Sequence, residues 1–203
     1  MIFRDAADSD ADFAAGNPPG AFPAMPGLLE QTMMVPRLRS DSKIGAIKQL
    51  VDRLYRAGRL NDSLSFLQLV LERENLGSTV IGGTIALPHA RARSVTGLGM
   101  ALGVCDEPIY YPSGDDLCAV RAVCVIAVPM DSPRPYLGLL SLLAGAFGDS
   151  DFVHRLLAAP SAREMSELMS ARLSSAPVAT PENAAQVLPA DAALAGARPG
   201  MGG

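Results

Sequence analysis

The chain has 203 residues, 49% of them apolar, with 21 acids against 17 bases; this fits one globular domain with tails, and no apolar run approaches the ~20 residues of a bilayer-spanning helix. Residues 1–30 hold Asp5, Asp8, Asp10, Asp12 and Glu30 against Arg4, and residues 176–203 hold Glu182 and Asp191 against Arg198. Taking these seven acids and two bases from the totals leaves 14 acids and 15 bases between them, a near-neutral domain without the basic stripe that nucleic acid requires.

Residues 1–32 mix Ala, Gly, Pro and Asp without periodicity and read as a disordered arm. The acidic start lacks a cationic-then-apolar export signal, so the expected location is cytoplasmic. From Ser40 to Arg56 the apolar positions Ile44, Ile47, Leu50/Val51 and Leu54/Tyr55 recur at helical spacing. A second helix is predicted from Asn61 or Asp62 to Glu72, with Leu64, Leu67 and Leu71 on one face. A Gly-rich loop and a short strand, Thr84–Leu87, follow, then strands over Leu98–Val104 and Arg121–Val128. The last is apolar on both faces, the mark of a strand covered on both sides.

Helices are predicted again over Pro135–Phe147, Ser150–Ala158 and Ser161–Leu173, the last opening on a capping box, Ser161-Ala162-Arg163-Glu164. Residues 174–203 are Ala/Pro/Gly-rich and read as a disordered tail. The expected fold is therefore one α/β domain over residues 33–173, a sheet with helices on both faces and disordered termini. Cys105, Cys118 and Cys124 are odd in number and lack C-x-x-C spacing, so they read as reduced thiols rather than zinc ligands.

Chemistry concentrates at Arg73-Glu74-Asn75-Leu76-Gly77-Ser78-Thr79-Val80-Ile81-Gly82-Gly83-Thr84-Ile85-Ala86-Leu87-Pro88-His89-Ala90-Arg91. His89 is one of two histidines in the chain. A neutral imidazole is a nucleophile near pH 7 and also a competent leaving group, as reversible phosphoryl transfer requires. Backbone N–H groups of Gly77, Gly82 and Gly83 could form an anion nest, Ser78 and Thr79 add hydroxyl donors, and Arg73 or Arg91 could supply a cationic fork. Pro88 keeps Leu87 extended. His154 falls on the polar side of its helix and reads as a solvated residue.

This segment resembles the signature R-E-x-x-G-S-T-G-I-G-x-G-I-A-I-P-H-[AG]-[KR] of the fructose/mannitol-class (type 2) enzyme IIA domains of the bacterial sugar phosphotransferase system (PTS), in register and without a gap, and most resembles the nitrogen-regulatory branch. The likeness extends to Ser42-Lys43, Glu107-Pro108-Ile109 and Leu140-Ser141-Leu142-Leu143-Ala144. It implies a mixed β-sheet of about five strands between helices. It also implies a phosphocarrier whose His89 accepts a phosphoryl group from HPr beside Arg73, with no metal and no organic cofactor. The implied partners are an HPr-like carrier, a regulated transporter or sensor kinase, and possibly a IIB domain. Leu87, Ala90 and Tyr136 are the expected centre of the docking surface.

Three positions depart from the pattern. Val80 and Thr84 replace glycines, which would strain the loop if either needed positive φ. Tyr136-Leu137 stands where the family has a His-Leu pair, so a group that stays neutral replaces a potential cation. Three readings follow: a regulatory phosphocarrier, a phosphorylation-silent binding module of the same fold, or the IIA component of a sugar transporter.

Overall fold

The structure, a computed structural model, describes residues 27–113, 116–131 and 133–175; the rest of the predicted arm and tail lies outside them. A 3-10 turn, Gln31–Met33, leads into β1 (Met34–Leu38), and Leu28 is already buried, five residues before the expected boundary at 33. Helix α1 (Lys43–Arg56) begins where Ser42 Oγ accepts the Gly45 N–H, and α2 (Ser63–Leu76) begins on Asp62, which accepts from Ser65. Both caps satisfy N–H groups that a helix start leaves without partners.

Three short strands follow: β2 (Val80–Ile81), β3 (Ile85–Ala86) and β4 (His89–Ala92). The long pair β5 (Gly99–Ser113) and β6 (Asp116–Pro129) comes next, and α3 (Pro133–Phe147), α4 (Ser150–Leu157) and α5 (Ala162–Ser175) complete the domain. Ser161 Oγ accepts the Glu164 N–H, one half of the expected capping box.

The six strands form one mixed sheet in the order β1-β5-β6-β3-β2, with β4 also on β6. The expectation was about five strands. The sixth arises because β3 and β4 are one line of chain broken at Leu87-Pro88. Ile85 lies opposite Ala122 and His89 opposite Ile126, so the parallel register resumes after the break without slipping. β1 runs parallel to β5 and carries Pro36. Such a residue is tolerated on an edge strand because its missing N–H is not needed there. Between β5 and β6, five steps from Val104 to Ile109 face two from Ala122 to Val120, a bulge at Cys105–Pro108. Asp106 in that bulge ties both Arg37 and Arg39 to the edge, at 2.9 and 3.0 Å.

β6 divides the core. Ala122, Cys124, Ile126 and Val128 face α3, α4 and α5, while Val120, Val123, Val125 and Ala127 face α1 and α2. Helix α2 is turned differently from expectation. Phe66, Val70 and Glu74 form its buried face and Leu64 is exposed, because leucines lie nearly all round this helix and the aromatic and the glutamate decide its orientation.

Gly103 sits where β1 crosses closest to β5. A Cβ there would lie 2.7 Å from Leu38 Cδ2 and 3.2 Å from Leu38 Cβ. Gly103→Ala is expected to cost about 1–3 kcal/mol by overpacking, seen as a lower urea midpoint at unchanged slope. Tyr111 is fully buried with no hydrogen-bond partner for its hydroxyl among the described residues. Tyr111→Phe removes that orphan, and we expect a gain of about 1 kcal/mol in the same measurement.

Candidate functional site

The site begins at the strand break. Where the ladder is interrupted, Leu87 N–H turns to the Thr79 carbonyl at 3.0 Å, continuing the β2–β3 pairing, while the Pro88 carbonyl accepts from Ile126 N at 3.0 Å. The Leu87 carbonyl is left pointing at the next side chain, and His89 Nδ1 lies 2.7 Å from it. A carbonyl only accepts, so Nδ1 carries the hydrogen and the neutral ring keeps its lone pair on Nε2.

His89 is half-buried at the start of β4. Desolvation is the largest influence on it and lowers its pKa below the usual 6.5; the Leu87 hydrogen bond opposes this, Arg73 adds to it and Glu74 opposes it. The ring is therefore held neutral at physiological pH, as a nucleophile must be.

The end of α2 supplies the charged surroundings. Arg73 Nη1 donates to the Gly77 carbonyl at 3.2 Å, which keeps the guanidinium at the helix terminus. Glu74, the next residue, points inward with a fully buried side chain. Its Oε1 accepts a short hydrogen bond from the Thr79 hydroxyl. Its Oε2 lies 2.9 Å from Lys43 Nζ, close enough for an ion pair though out of line for a directed hydrogen bond. Lys43 in turn lies over the Tyr111 ring, 5.2 Å from its centroid. A carboxylate enclosed without its ammonium would be severely destabilising.

The sequence-predicted residues fall into two groups. Arg73 acts electrostatically on His89, and Ser78 sits on the loop between them with its Oγ accepting from Val80 N at 3.3 Å. Arg91, two residues along β4, is exposed and donates to the Met130 carbonyl. Thr79 is buried and its proton belongs to Glu74, so its hydroxyl supports the loop rather than facing solvent.

Gly82 and Gly83 lie elsewhere. With φ of +58° and +69° and Thr84 N bonded to Ile81 O, they form the tight turn joining β2 to β3, a primed turn that glycine accommodates. From Ile85 to His89 alone the chain extends ~13 Å at about 3.3 Å per residue, and the turn lies beyond Ile85. The turn is thus remote from the imidazole.

Val80 and Thr84 raise no strain, because no described residue other than glycine has positive φ. Leu87 and Ala90 are buried, 3% and 8% exposed, and cannot centre a docking surface. Their side chains enter the two cores on opposite sides of the sheet. The exposed apolar side chains on the elements of the site are instead Ile44 beside Lys43, Leu76 at the end of α2, and Met130. Tyr136 belongs to the first turn of α3, and its side chain is outside the described residues.

Sequence reasoning quoted Glu74 and Lys43 without giving them a role. The signal was present: Phe66, Val70 and Glu74 recur every fourth residue, so the glutamate continues an apolar stripe. His154 is exposed, as expected, and the three cysteines are free. Burial pushes the Cys105 thiol up to about 11 and raises Cys124 as well. No group of His, Cys, Asp or Glu among the described residues could hold a metal ion, and no helix there is long and apolar enough to cross a membrane.

A mixed sheet between two helical layers, with a histidine at a strand break that feels the charge of a nearby arginine, defines an α/β domain with a single-histidine candidate site. Residues 28–171 match the family described as phosphoenolpyruvate-dependent sugar phosphotransferase system, EIIA 2, and the chain belongs to that family. It is 28% identical over 159 residues to the PTS system 2-O-alpha-mannosyl-D-glycerate-specific EIIABC component of Escherichia coli K12, covering 78% of this chain and 24% of the relative. It is 29% identical over 143 residues to the nitrogen regulatory protein of Klebsiella oxytoca, covering 70% and 87% respectively. The crystal structure of nitrogen regulatory protein IIA-Ntr from Neisseria meningitidis superposes with a TM-score of 0.65 at 25% identity, covering 70% of this chain and 96% of that one. The chain spans about a quarter of the length of that EIIABC relative and about a fifth of the PTS system fructose-specific EIIABC component of Bacillus subtilis 168, to which it is 33% identical over 124 residues, 61% of this chain and 19% of the relative.

Two outcomes test this geometry. An NMR titration should place His89 below 6.5. Because the unfolded chain then takes up the proton first, the His89 contribution to stability should fall as the pH drops from about 6.5 to the folded value and be constant above about 6.5. Gly83→Ala should cost about 1–2 kcal/mol through its positive φ while leaving the His89 ring resonances in place, since the turn is remote from the ring.

Proposed function

We propose that this chain is a cytoplasmic regulatory phosphocarrier, in which His89 accepts a phosphoryl group from an HPr-like donor and the phosphorylation state modulates a partner transporter or sensor kinase. The observation that carries this reading is the Nδ1–H bond to the Leu87 carbonyl. It presents Nε2 as the attacking atom. As the Nε2 lone pair forms the new P–N bond, the P–N bond to the donor imidazole breaks and that ring leaves. Positive charge grows on the His89 ring, and the Leu87 carbonyl stabilises it through the same Nδ1–H.

The phosphoryl oxygens then require cations and donors. Arg73 offers a planar fork, Ser78 a hydroxyl, and Arg91 and Tyr136 further hydrogen bonds. The Gly82-Gly83 turn supports the strand and has no part in this step. Ile44, Leu76 and Met130 give the donor protein an apolar surface around the site. The regulatory assignment draws on the similarity to the nitrogen regulatory proteins.

One sequence feature favours a second reading. Tyr136 replaces the family's second histidine, and losing a charge-assisted hydrogen bond to phosphate costs ~1.5–3 kcal/mol. On that reading the chain is a silent module that binds its transporter or kinase without being phosphorylated. A third role, the IIA component of a sugar transporter working with a separate IIB domain, follows from the similarity to sugar-specific relatives.

Incubation with phosphoenolpyruvate, enzyme I and HPr, followed by intact mass, separates these. An acid-labile phosphoryl gain that His89→Ala abolishes is the expected result. No gain while HPr is phosphorylated would overturn the carrier reading, and acceptance regained in Tyr136→His would trace the silence to that residue. Transfer onward to a IIB domain would identify the transport role.

A further inference from the structure

We infer that Glu74, held by Lys43 and bonded to Thr79, is a positioning residue that sets the tautomer and orientation of the His89 ring. This rests on the phosphocarrier reading for its purpose, though not for its geometry.

The connection runs through four contacts. Lys43 Nζ at the start of α1 lies 2.9 Å from the Glu74 carboxylate. Glu74 accepts the Thr79 hydroxyl. The Thr79 carbonyl receives Leu87 N–H at 3.0 Å. The Leu87 carbonyl lies 2.7 Å from His89 Nδ1. Each contact fixes one end of the next: the hydroxyl bond pins the Thr79 backbone, and Thr79 with Leu87 closes the last rung of the β2–β3 ladder. That rung fixes the Leu87 N–H and Cα, and Leu87, kept extended by Pro88, then directs its carbonyl, in the next peptide plane, to the Nδ1 proton.

Enclosing a carboxylate and an ammonium is expensive, and an apolar pair of similar volume is often as stable or more so. Here the ion pair, with its lysine partly hydrated, holds the carboxylate in place to accept from Thr79. The charge also has a direct effect, since Glu74 favours the protonated imidazole and Arg73 disfavours it. Burial is the largest of these influences, so it prevails over Glu74 and the ring stays neutral.

Glu74 therefore does not touch the phosphoryl group. It acts through Thr79 and Leu87, and its removal is read first in the unphosphorylated protein. The experiment compares the imidazole nitrogen shifts of His89 by long-range proton–nitrogen NMR in the full chain, its Thr79→Val, Thr79→Ser and Glu74→Gln variants, alongside phosphoryl acceptance.

The full chain should show the Nδ1–H form. Thr79→Val should give a mixture of tautomers and up to about tenfold slower acceptance, the scale of one net hydrogen bond, and Thr79→Ser should restore both. Glu74→Gln keeps the oxygen that Thr79 needs, removes the negative charge and sets an amide NH2 toward Lys43 in place of Oε2. It should preserve the tautomer and lower the His89 pKa, which keeps the proposal testable if Thr79→Val does not fold. A folded Thr79→Val with the parental tautomer, or a Glu74→Gln with the parental His89 pKa, would overturn the inference. If no protein accepts phosphoryl and the tautomers still shift, the positioning stands and the carrier reading fails.

Discussion

Leu87 is the residue on which the domain turns. Its N–H closes the β2–β3 ladder on Thr79 and its carbonyl, in the next peptide plane, holds the His89 ring, so one residue serves the sheet and the site together. Pro88 makes this possible. A proline has no N–H to offer a neighbouring strand, and it biases the residue before it toward extended backbone. The ladder along β6 is therefore interrupted at that place, yet the register with β6 is the same before and after. A local defect is thus held inside a rigid frame, and a carbonyl that would otherwise belong to the sheet becomes available to a side chain.

The frame is rigid because β6 is covered on both sides. Its alternating residues enter two separate cores, one under α1 and α2 and one under α3, α4 and α5. Any slip of one residue would exchange those two sets of side chains. The charged cluster of Lys43, Glu74 and Thr79 sits at the end of the α1–α2 core, where helix termini and the loop into β2 meet. There the lysine remains partly accessible, at 22% side-chain exposure, while the carboxylate is enclosed. Burial of one partner and partial hydration of the other lowers the desolvation cost relative to a pair buried outright.

Much of this was legible in the residues. The continuous apolar run of Arg121–Val128 announced a strand covered on both faces, and the spacing in α1 announced its buried stripe. The motif around His89 pointed to the family that residues 28–171 match. What escaped reading has physical causes. Pro36 disguised β1, since a proline argues against a central strand and gives no sign of an edge. The bulge at Cys105–Pro108 broke the alternation of β5, so its second half was not recognised. Gly82 and Gly83 were read as an anion nest, because paired glycines serve a nest or a primed turn equally well; only the pairing of β2 with β3 decides between them. Leu87 and Ala90 looked like surface beside a reactive histidine, but two helical layers cover them.

The long β5–β6 pair gives the molecule a mechanical gradient. Past Cys105 on β5 and before Arg121 on β6, the two strands pair only with each other among the described residues. One face of this ribbon is anchored through Ile109, Tyr111 and Val120, while Tyr110 and Leu117 stand 65% and 69% exposed. Two strands alone are marginal in water. Amide protons there should exchange through local opening at a fraction of the global free energy, and those near Ile126 only when the whole domain unfolds. The pliant end lies ~30 Å from the imidazole, at about 3.3 Å per residue along β6. The sheet thus has its best-covered stretch beside the ring and its thinnest at the far end.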